Sequence, residues 1–412
     1  MTTAAEAYSR PGFGTENLPY GSFSTPNSDR RALGVRLGER VVDLAGLASA
    51  PGLPAPSNAA RAAIDAPNLD ALLAAGHTVW TDTRAWILEV LAAQGSGEAV
   101  AAVSHVLADV TLHLPFTVAD YVDGYASEHH AANIGKMFRP DQPPLLPNWK
   151  HLPVGYHGRS GTIGVSGMPI RRPKGLRPEP GGSPSFGPSR RLDIEAELGF
   201  VLGGAAPEGE IALVDAPDHL FGVVILNDWS ARDIQNYEYV PLGPYLGKSF
   251  ASSISPWVVP VDALKAGRVS APNRDTGLEA YLDDTGLPPW GLDVTLEVLV
   301  DGVPVSYPPA KGLYWTAPQM IAHMTVNGAA LRPGDFIGSG TISGPEPTQR
   351  GSFMELSWGG AEPFALPDGR TMSFLEDGQS IVIRATAPAA DGGTIDFGEV
   401  EGTILPATLR PR

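Results

Sequence analysis

Phe221-Gly-Val-Val-Ile-Leu226, followed at once by Asn227-Asp-Trp229, is the stretch on which the fold turns. A half-exposed strand alternates apolar and polar residues. This run has no polar side chain, as expected of a strand buried on both faces. It delivers Asp228 where a core strand meets a pocket. A turn or capping aspartate is the competing reading of that position.

Working outward, Trp257-Val-Val-Pro-Val261, Val294-Thr-Leu-Glu-Val-Leu-Val300 and Ser380-Ile-Val-Ile-Arg384 read as further strands. Gly and Pro recur too often between them for long helices, so this part of the chain is expected to be mostly β. One helix is expected over Pro318–Met324, with proline in its first turn, where a missing N–H costs least. Nearer the start, Leu33–Ser49 carries two short alternating runs around Gly38-Glu-Arg40, the pattern of a hairpin. Between Ala60 and Gln94, Leu69, Leu72 and Leu73, then Trp86, Ile87, Val90 and Leu91 recur at helical spacing and predict two short helices. The expected fold class is mainly β with some α. A boundary near Leu114-Pro115 divides residues 1–115 from a larger unit, 116–412, that holds the acid-rich motifs.

Composition narrows the function. The 412 residues have material for a sizeable core and more than one folding unit. With 29 basic against 45 acidic side chains, a formal charge of −16 argues against a nucleic-acid partner held by counterion release. There is no cysteine, which excludes disulfides and thiolate metal sites, so a metal must be held by oxygen or imidazole. No run of about 18 apolar residues points to a membrane span, and the opening Met1-Thr-Thr-Ala-Ala-Glu-Ala7 lacks the basic and apolar character of a leader. A cytoplasmic protein is the expectation.

Three separated stretches concentrate acids: Asp123-Gly-Tyr-Ala-Ser-Glu-His-His130, Asp193-Ile-Glu-Ala-Glu197 and the Asp228 segment. In Arg191–Phe200 the acids alternate with Leu192, Ile194, Ala196 and Leu198, so a strand would place Glu195 and Glu197 on one face. A solvated strand face is the competing reading for that segment alone. Together the three stretches can build one oxygen-lined site for a hard divalent cation such as Ca²⁺ or Mg²⁺. His130 lies close enough to Asp123 to share the site, with neighbouring His129 as an alternative. A histidine base needs a carboxylate to fix its tautomer. Glu355, which interrupts an apolar strand-like run at Phe353–Trp358, is the candidate, against the reading of an edge-strand glutamate. Arg139, Arg232 and Lys248 are cations suited to a carboxylated substrate or a developing anion. The glycine-framed Ser339-Gly-Thr-Ile-Ser-Gly344 offers amides and the Thr341 hydroxyl to a carboxylate.

Longer motifs carry a resemblance. Glu16–Thr25, Leu146–Arg159, Asn227–Gln235 with Tyr239–Pro244, Gly247–Phe250, and Leu331–Asp335 with Ser339–Gly344 together resemble the fumarylacetoacetate hydrolase family over nearly the whole chain. The resemblance implies a small SH3-like β-barrel N-terminal domain, a C-terminal mixed β-roll carrying the site, a homodimer, and a divalent ion, Ca²⁺ or Mg²⁺. It implies hydrolysis of a C–C bond in a small 1,3-diketone acid, fumarylacetoacetate, with no nucleic acid or membrane as partner. By motif, Asp123, Glu195, Glu197 and Asp228 are the metal ligands, with Lys248 and Ser252 on the metal side. His130 is the water-activating base oriented by Glu355; Arg232, Gln235 and Lys248 stabilise developing negative charge. Tyr125, Arg139, Tyr156, Gln235 and Thr341 hold substrate. Ser252 stands where the family pattern has threonine, and Gly124 where it has an aromatic, a change expected to loosen the pocket. A metal-dependent decarboxylase or hydratase of a related oxo acid is the alternative activity.

Overall fold

The structure, a computed structural model, describes residues 2–204, 206 and 209–408. Its centre is an eight-stranded sheet. Seven of the strands run, side by side, Gly155–His157, Asp120–Gly124, Asp335–Gly338, Ala196–Leu202, Leu220–Asn227, Ser252–Ile254 and Ile163–Val165; Val259–Pro260 pairs separately with Leu220–Asn227. Every residue of Ala196–Leu202 and Leu220–Asn227 is buried.

Strand alternation explains why the 221–226 run has no polar member. Val223 and Ile225 point into one core with Leu198, Phe200 and Leu202, while Val224 and Leu226 point into another with Val201 and Phe336. The first core continues into a five-stranded sheet containing Thr295–Val300, Ser380–Pro388 and Thr394–Leu405. The second is shared with the N-terminal region, whose Leu33, Val35, Leu72 and Trp80 cover that face. A sheet covered on both sides has no solvent face, so alternation in polarity gives way to a continuous apolar run.

The N-terminal region contains a five-stranded antiparallel sheet in the order Ser104–Val106, Arg40–Asp43, Ser28–Leu37, Tyr20–Thr25, Thr111–His113. The expected hairpin turns at Gly38, whose φ of +58° suits glycine. Three helices, Asn58–Ile64, Asp70–Ala75 and His77–Ala92, occupy the region expected to hold two. Gly76, at φ +82°, separates the last two. The helix expected at Pro318 runs Ala317–Thr325 with a Thr316/Gln319 capping box.

Three local expectations need correction. Arg191–Phe200 is not one strand: Leu192–Asp193 pairs with Ser230–Ala231, the chain leaves regular pairing at Ile194-Glu195, and Ala196–Leu202 then joins the central sheet. Trp257–Val261 contributes only Val259–Pro260 as strand, because Val261 already begins a 3₁₀ helix. Glu355 lies on a short helix, Phe353–Leu356, capped by Ser352, and not on a strand.

Ile225 is fully buried at the middle of this arrangement. Ile225→Ala is expected to lower unfolding free energy by about 2–5 kcal/mol, with the loss largest if the cavity cannot collapse. Equilibrium denaturation of the purified variant measures it; a loss below about 1 kcal/mol would contradict a rigid, doubly covered strand.

Candidate metal and catalytic site

Adjacent strands bring distant acids together. Asp123 lies in Asp120–Gly124 opposite Gly338, Glu197 near the start of Ala196–Leu202, and Asp228 just beyond Leu220–Asn227. One carboxylate oxygen from each lies within 4.8 Å of the other two, and all three residues are buried. Glu197 Oε2 accepts the Gly340 amide at 2.9 Å, whereas its Oε1 is buried without any donor. Nothing but carboxylate oxygen is offered, the donor chemistry of a hard divalent cation. The orphaned Glu197 oxygen is the further sign that these residues fit one.

Glu195 is not among the three. Its carboxylate accepts from Arg232 Nη1 at 2.5 Å and from Lys248 Nζ at 2.6 Å, and Lys248 also reaches Asp228 Oδ2 at 2.6 Å. Lys248 thus bridges Glu195 to the acid cluster through its ammonium, which has no lone pair for a metal. Ser252 donates to Asp228 Oδ1 at 2.7 Å. Arg232 continues to Asp193 at 2.7 Å and approaches Gln235 Oε1 at 3.3 Å.

Electrostatics follow the geometry. Burial pushes the Asp123 carboxyl well up, and the neighbouring Asp228 and Glu195 charges add to it against the pull of Lys248. Glu197 is likewise raised by burial and by Asp123, Glu195 and Asp228. Burial also raises Glu195, but Lys248 and Arg232 outweigh it and hold that carboxyl below the usual range. Lys248 and Arg232, though buried, stay charged because the acids around them more than offset desolvation.

The imidazole stands apart from this cluster. His130 is on the helix Glu128–Phe138, buried, with Nδ1 2.7 Å from Glu355 Oε2. Its neighbour His129 is exposed, which removes the ambiguity between the two. Glu355 also accepts from Asn133 Nδ2 at 3.0 Å, Ser343 Oγ at 2.9 Å and Ser352 Oγ at 2.8 Å. Burial would raise Glu355, but the charge and hydrogen bond of His130, with Asn133 and Ser352, keep it below its ordinary value. An ionised carboxylate cannot donate, so the shared proton belongs to Nδ1. Whenever the ring is neutral, its lone pair is then on Nε2.

Tyr125 packs edge-on against His130 at 5.4 Å between centroids. Tyr156 is the cross-strand partner of Asp123, and burial and that charge hold its phenol proton tightly. Thr341 Oγ1 and Arg139 Nε are buried polar atoms without a protein partner. A cavity of about 190 Å³ opens among Tyr156, Arg159, Asp228, Tyr245, Lys248 and Ser252. Phe138 stacks on Tyr239 at 6.5 Å, a contact no sequence pattern indicated. Gly124 does not loosen the pocket: a Cβ there would come within 2.4 Å of Met320 Cε and 2.5 Å of the Gly338 carbonyl, so Met320 already occupies that direction. Asn133, Ser343 and Ser352, the further donors to Glu355, were missed because isolated Asn and Ser residues carry no local signal of long-range pairing.

Comparison with known proteins identifies the family. The family model described as fumarylacetoacetate hydrolase C-terminal matches residues 120–405, and that described as fumarylacetoacetase N-terminal matches 16–115. The chain is 42% identical to fumarylacetoacetase of Homo sapiens over 415 residues, covering 96% of this chain and 97% of that protein. It is 43% identical to fumarylacetoacetase of Caenorhabditis elegans over 423 residues, with coverage of 96% and 97%. Among solved structures, a fumarylacetoacetate hydrolase from Exiguobacterium antarcticum shares the fold at 16% identity and a TM-score of 0.54, covering 94% of this chain and 99% of that one.

Two measurements test the site. Asp123 and Glu197 hold protons in the folded, metal-free protein at pH values where the unfolded chain, near 3.8 and 4.5, has lost them. Their contribution to metal-free stability therefore falls as pH rises through that window, from the unfolded values upward until the folded carboxyls also lose their protons. A bound cation favours the ionised form, so the rise in Tm on replacing chelator with Ca²⁺ or Mg²⁺ is expected to grow from about pH 5 to 8. Thermal scans at several pH values check this, and a pH-independent increment counts against it. Gly124→Phe is expected to destabilise by about 1–3 kcal/mol through overpacking against Met320, measured by denaturant titration.

Proposed function

The chain belongs to the fumarylacetoacetase family, and on that premise we propose that it hydrolyses the C–C bond of 4-fumarylacetoacetate, giving fumarate and acetoacetate, the last step of tyrosine and phenylalanine breakdown. The observation that carries this reading is full-length similarity at 42% identity, joined to a buried acid cluster and a separate buried histidine–carboxylate pair. In this reading Asp123, Glu197 and Asp228 hold the divalent ion, with Glu195 as fourth ligand and Lys248 and Ser252 supporting the cluster. Ca²⁺ and Mg²⁺ both suit the oxygen set. The ion, when bound, supplies Lewis-acid stabilisation of negative charge on the substrate's carbonyl oxygens.

The remaining chemistry falls to side chains. His130 Nε2 takes a proton from water as hydroxide adds to the ketone next to the fumaryl unit. Arg232, Lys248 and Gln235 face the resulting alkoxide, where the fixed positive charge of the buried Arg232 and Lys248 is worth more than in water. The C–C bond then breaks, its electron pair leaves on the acetoacetate fragment, and the imidazolium returns the proton to that carbon. Tyr125, Arg139, Tyr156 and Thr341 orient the substrate. The buried unpartnered Thr341 hydroxyl and Arg139 Nε support this assignment, since each has hydrogen-bonding capacity left for a ligand.

The same reading takes residues 1–115 as an SH3-like domain, 116–412 as a catalytic β-roll, and the working form as a cytoplasmic homodimer. Among the described residues no helix is long and apolar enough to cross a membrane.

His130→Ala is expected to lower kcat by about 10²–10⁴-fold, the usual contribution of a general base, while bound metal per chain stays unchanged. Loss of fumarylacetoacetate absorbance and metal analysis of the same preparation measure both. Substantial residual hydrolysis removes His130 as base, and oxaloacetate decarboxylation outpacing hydrolysis in the native protein would favour the alternative activity.

A further inference from the structure

Asp193 touches neither the acid trio nor the imidazole, yet its carboxylate is filled on all sides. Its Oδ1 accepts the Ile194 amide at 2.8 Å and the Phe353 amide at 2.7 Å; its Oδ2 accepts Arg232 Nε at 2.7 Å and the Met354 amide at 3.0 Å. The residue has no solvent exposure. Phe353 and Met354 open the short helix whose next residue is Glu355, and Arg232 opens the helix Arg232–Glu238. One carboxylate therefore joins the backbone that carries the imidazole's partner to the guanidinium that carries positive charge.

We propose that Asp193 is a positioning residue for the hydrolysis, fixing the separation between Arg232 and the Glu355–His130 pair. The inference rests on the function proposed above and deepens it. Arg232 Nη1 reaches Glu195 while Nε is held by Asp193, so the planar guanidinium is locked by two acids and cannot rotate about its stem. The Glu355 carboxylate is set in turn by a helix start held from below. A base on one side of a carbonyl and a cation on the other assist the same transition state only at a fixed spacing. A buried charge whose sole use was stability would be a poor choice, since apolar replacements of buried ion pairs are often neutral or stabilising.

Asp193→Asn keeps the shape but turns an NH₂ toward two of the four donors. Its kcat is expected to fall by about 10²-fold, the cost of misplacing reacting groups by about 1 Å, with KM within about threefold of native. In a Glu355→Gln background the same substitution is expected to cost at least about fivefold less, because part of its effect runs through Glu355. Amide exchange at Phe353 and Met354, measured by mass spectrometry on the metal-loaded protein, is expected to quicken in Asp193→Asn. Equal losses in both backgrounds, an effect on KM alone, or unchanged exchange would overturn the proposal.

Asp193→Glu, which keeps the charge on a longer stem, is expected to fold and to lose kcat in the same way. Failure of both variants to fold would also overturn the proposal, since the carboxylate would then serve the fold and not the spacing. If the native protein does not cleave fumarylacetoacetate, the function proposed above falls, and the exchange data still decide whether Asp193 holds the two elements.

Discussion

Too many negative charges for the space they occupy is the constraint around which this protein is built. Asp123, Asp193, Glu195, Glu197 and Asp228 are all buried, and Lys248 and Arg232 supply two positive charges against five carboxylates. Like charges at this spacing in a medium of low dielectric repel strongly, and desolvation adds to the cost. Burial and mutual repulsion accordingly drive Asp123 and Glu197 toward their protonated forms. A divalent ion would reduce the imbalance without adding a side chain. The cluster persists because strands buried on both faces leave its members no alternative position.

The division of labour among the acids follows from where the cations stand. Lys248 and Arg232 take Glu195, leaving it firmly ionised, and Lys248 takes one oxygen of Asp228. Glu197, with neither cation bonded to it, keeps an oxygen without a donor. Glu355 represents the opposite solution: four donors, with His130 among them, hold its charge. Two environments therefore push chemically similar carboxyls in opposite directions, Asp123 and Glu197 toward the protonated form and Glu355 toward the ionised one.

Sequence patterns revealed the parts that local physics controls. The unbroken run at 221–226 announced a doubly covered strand because no solvent face interrupts it, and the Pro318 helix announced itself by its first turn. The three acid segments were legible as a group, although each alone was ambiguous. What escaped was decided over long range. Leu192–Asp193 leaves the expected strand because its partner, Ser230–Ala231, is elsewhere in the chain. The four residues of Phe353–Leu356 are too few to show helical period, so Glu355 looked like a strand residue. Gly124 suggested an open pocket because the side chain filling that direction, Met320, comes from a helix almost two hundred positions later.

The acid trio and the His130–Glu355 pair come from different elements, and their mutual placement needs a common reference. The Ser339–Gly344 loop supplies it. The Gly340 amide binds Glu197, a member of the acid trio, while the Ser343 hydroxyl binds Glu355, the partner of the imidazole. Ser127 closes the circuit: its hydroxyl oxygen accepts the amide of Ser343 and also caps the helix that carries His130. Gly340 has φ of +75°, and a Cβ there would lie 2.5 Å from the Gly124 carbonyl, so glycine is required for the loop to approach Asp123's own strand. Between the two contacts lies Thr341, its hydroxyl buried and unpartnered. A loop fixed at both ends, to the acid trio and to the Glu355–His130 pair, holds the Thr341 hydroxyl in constant register with both.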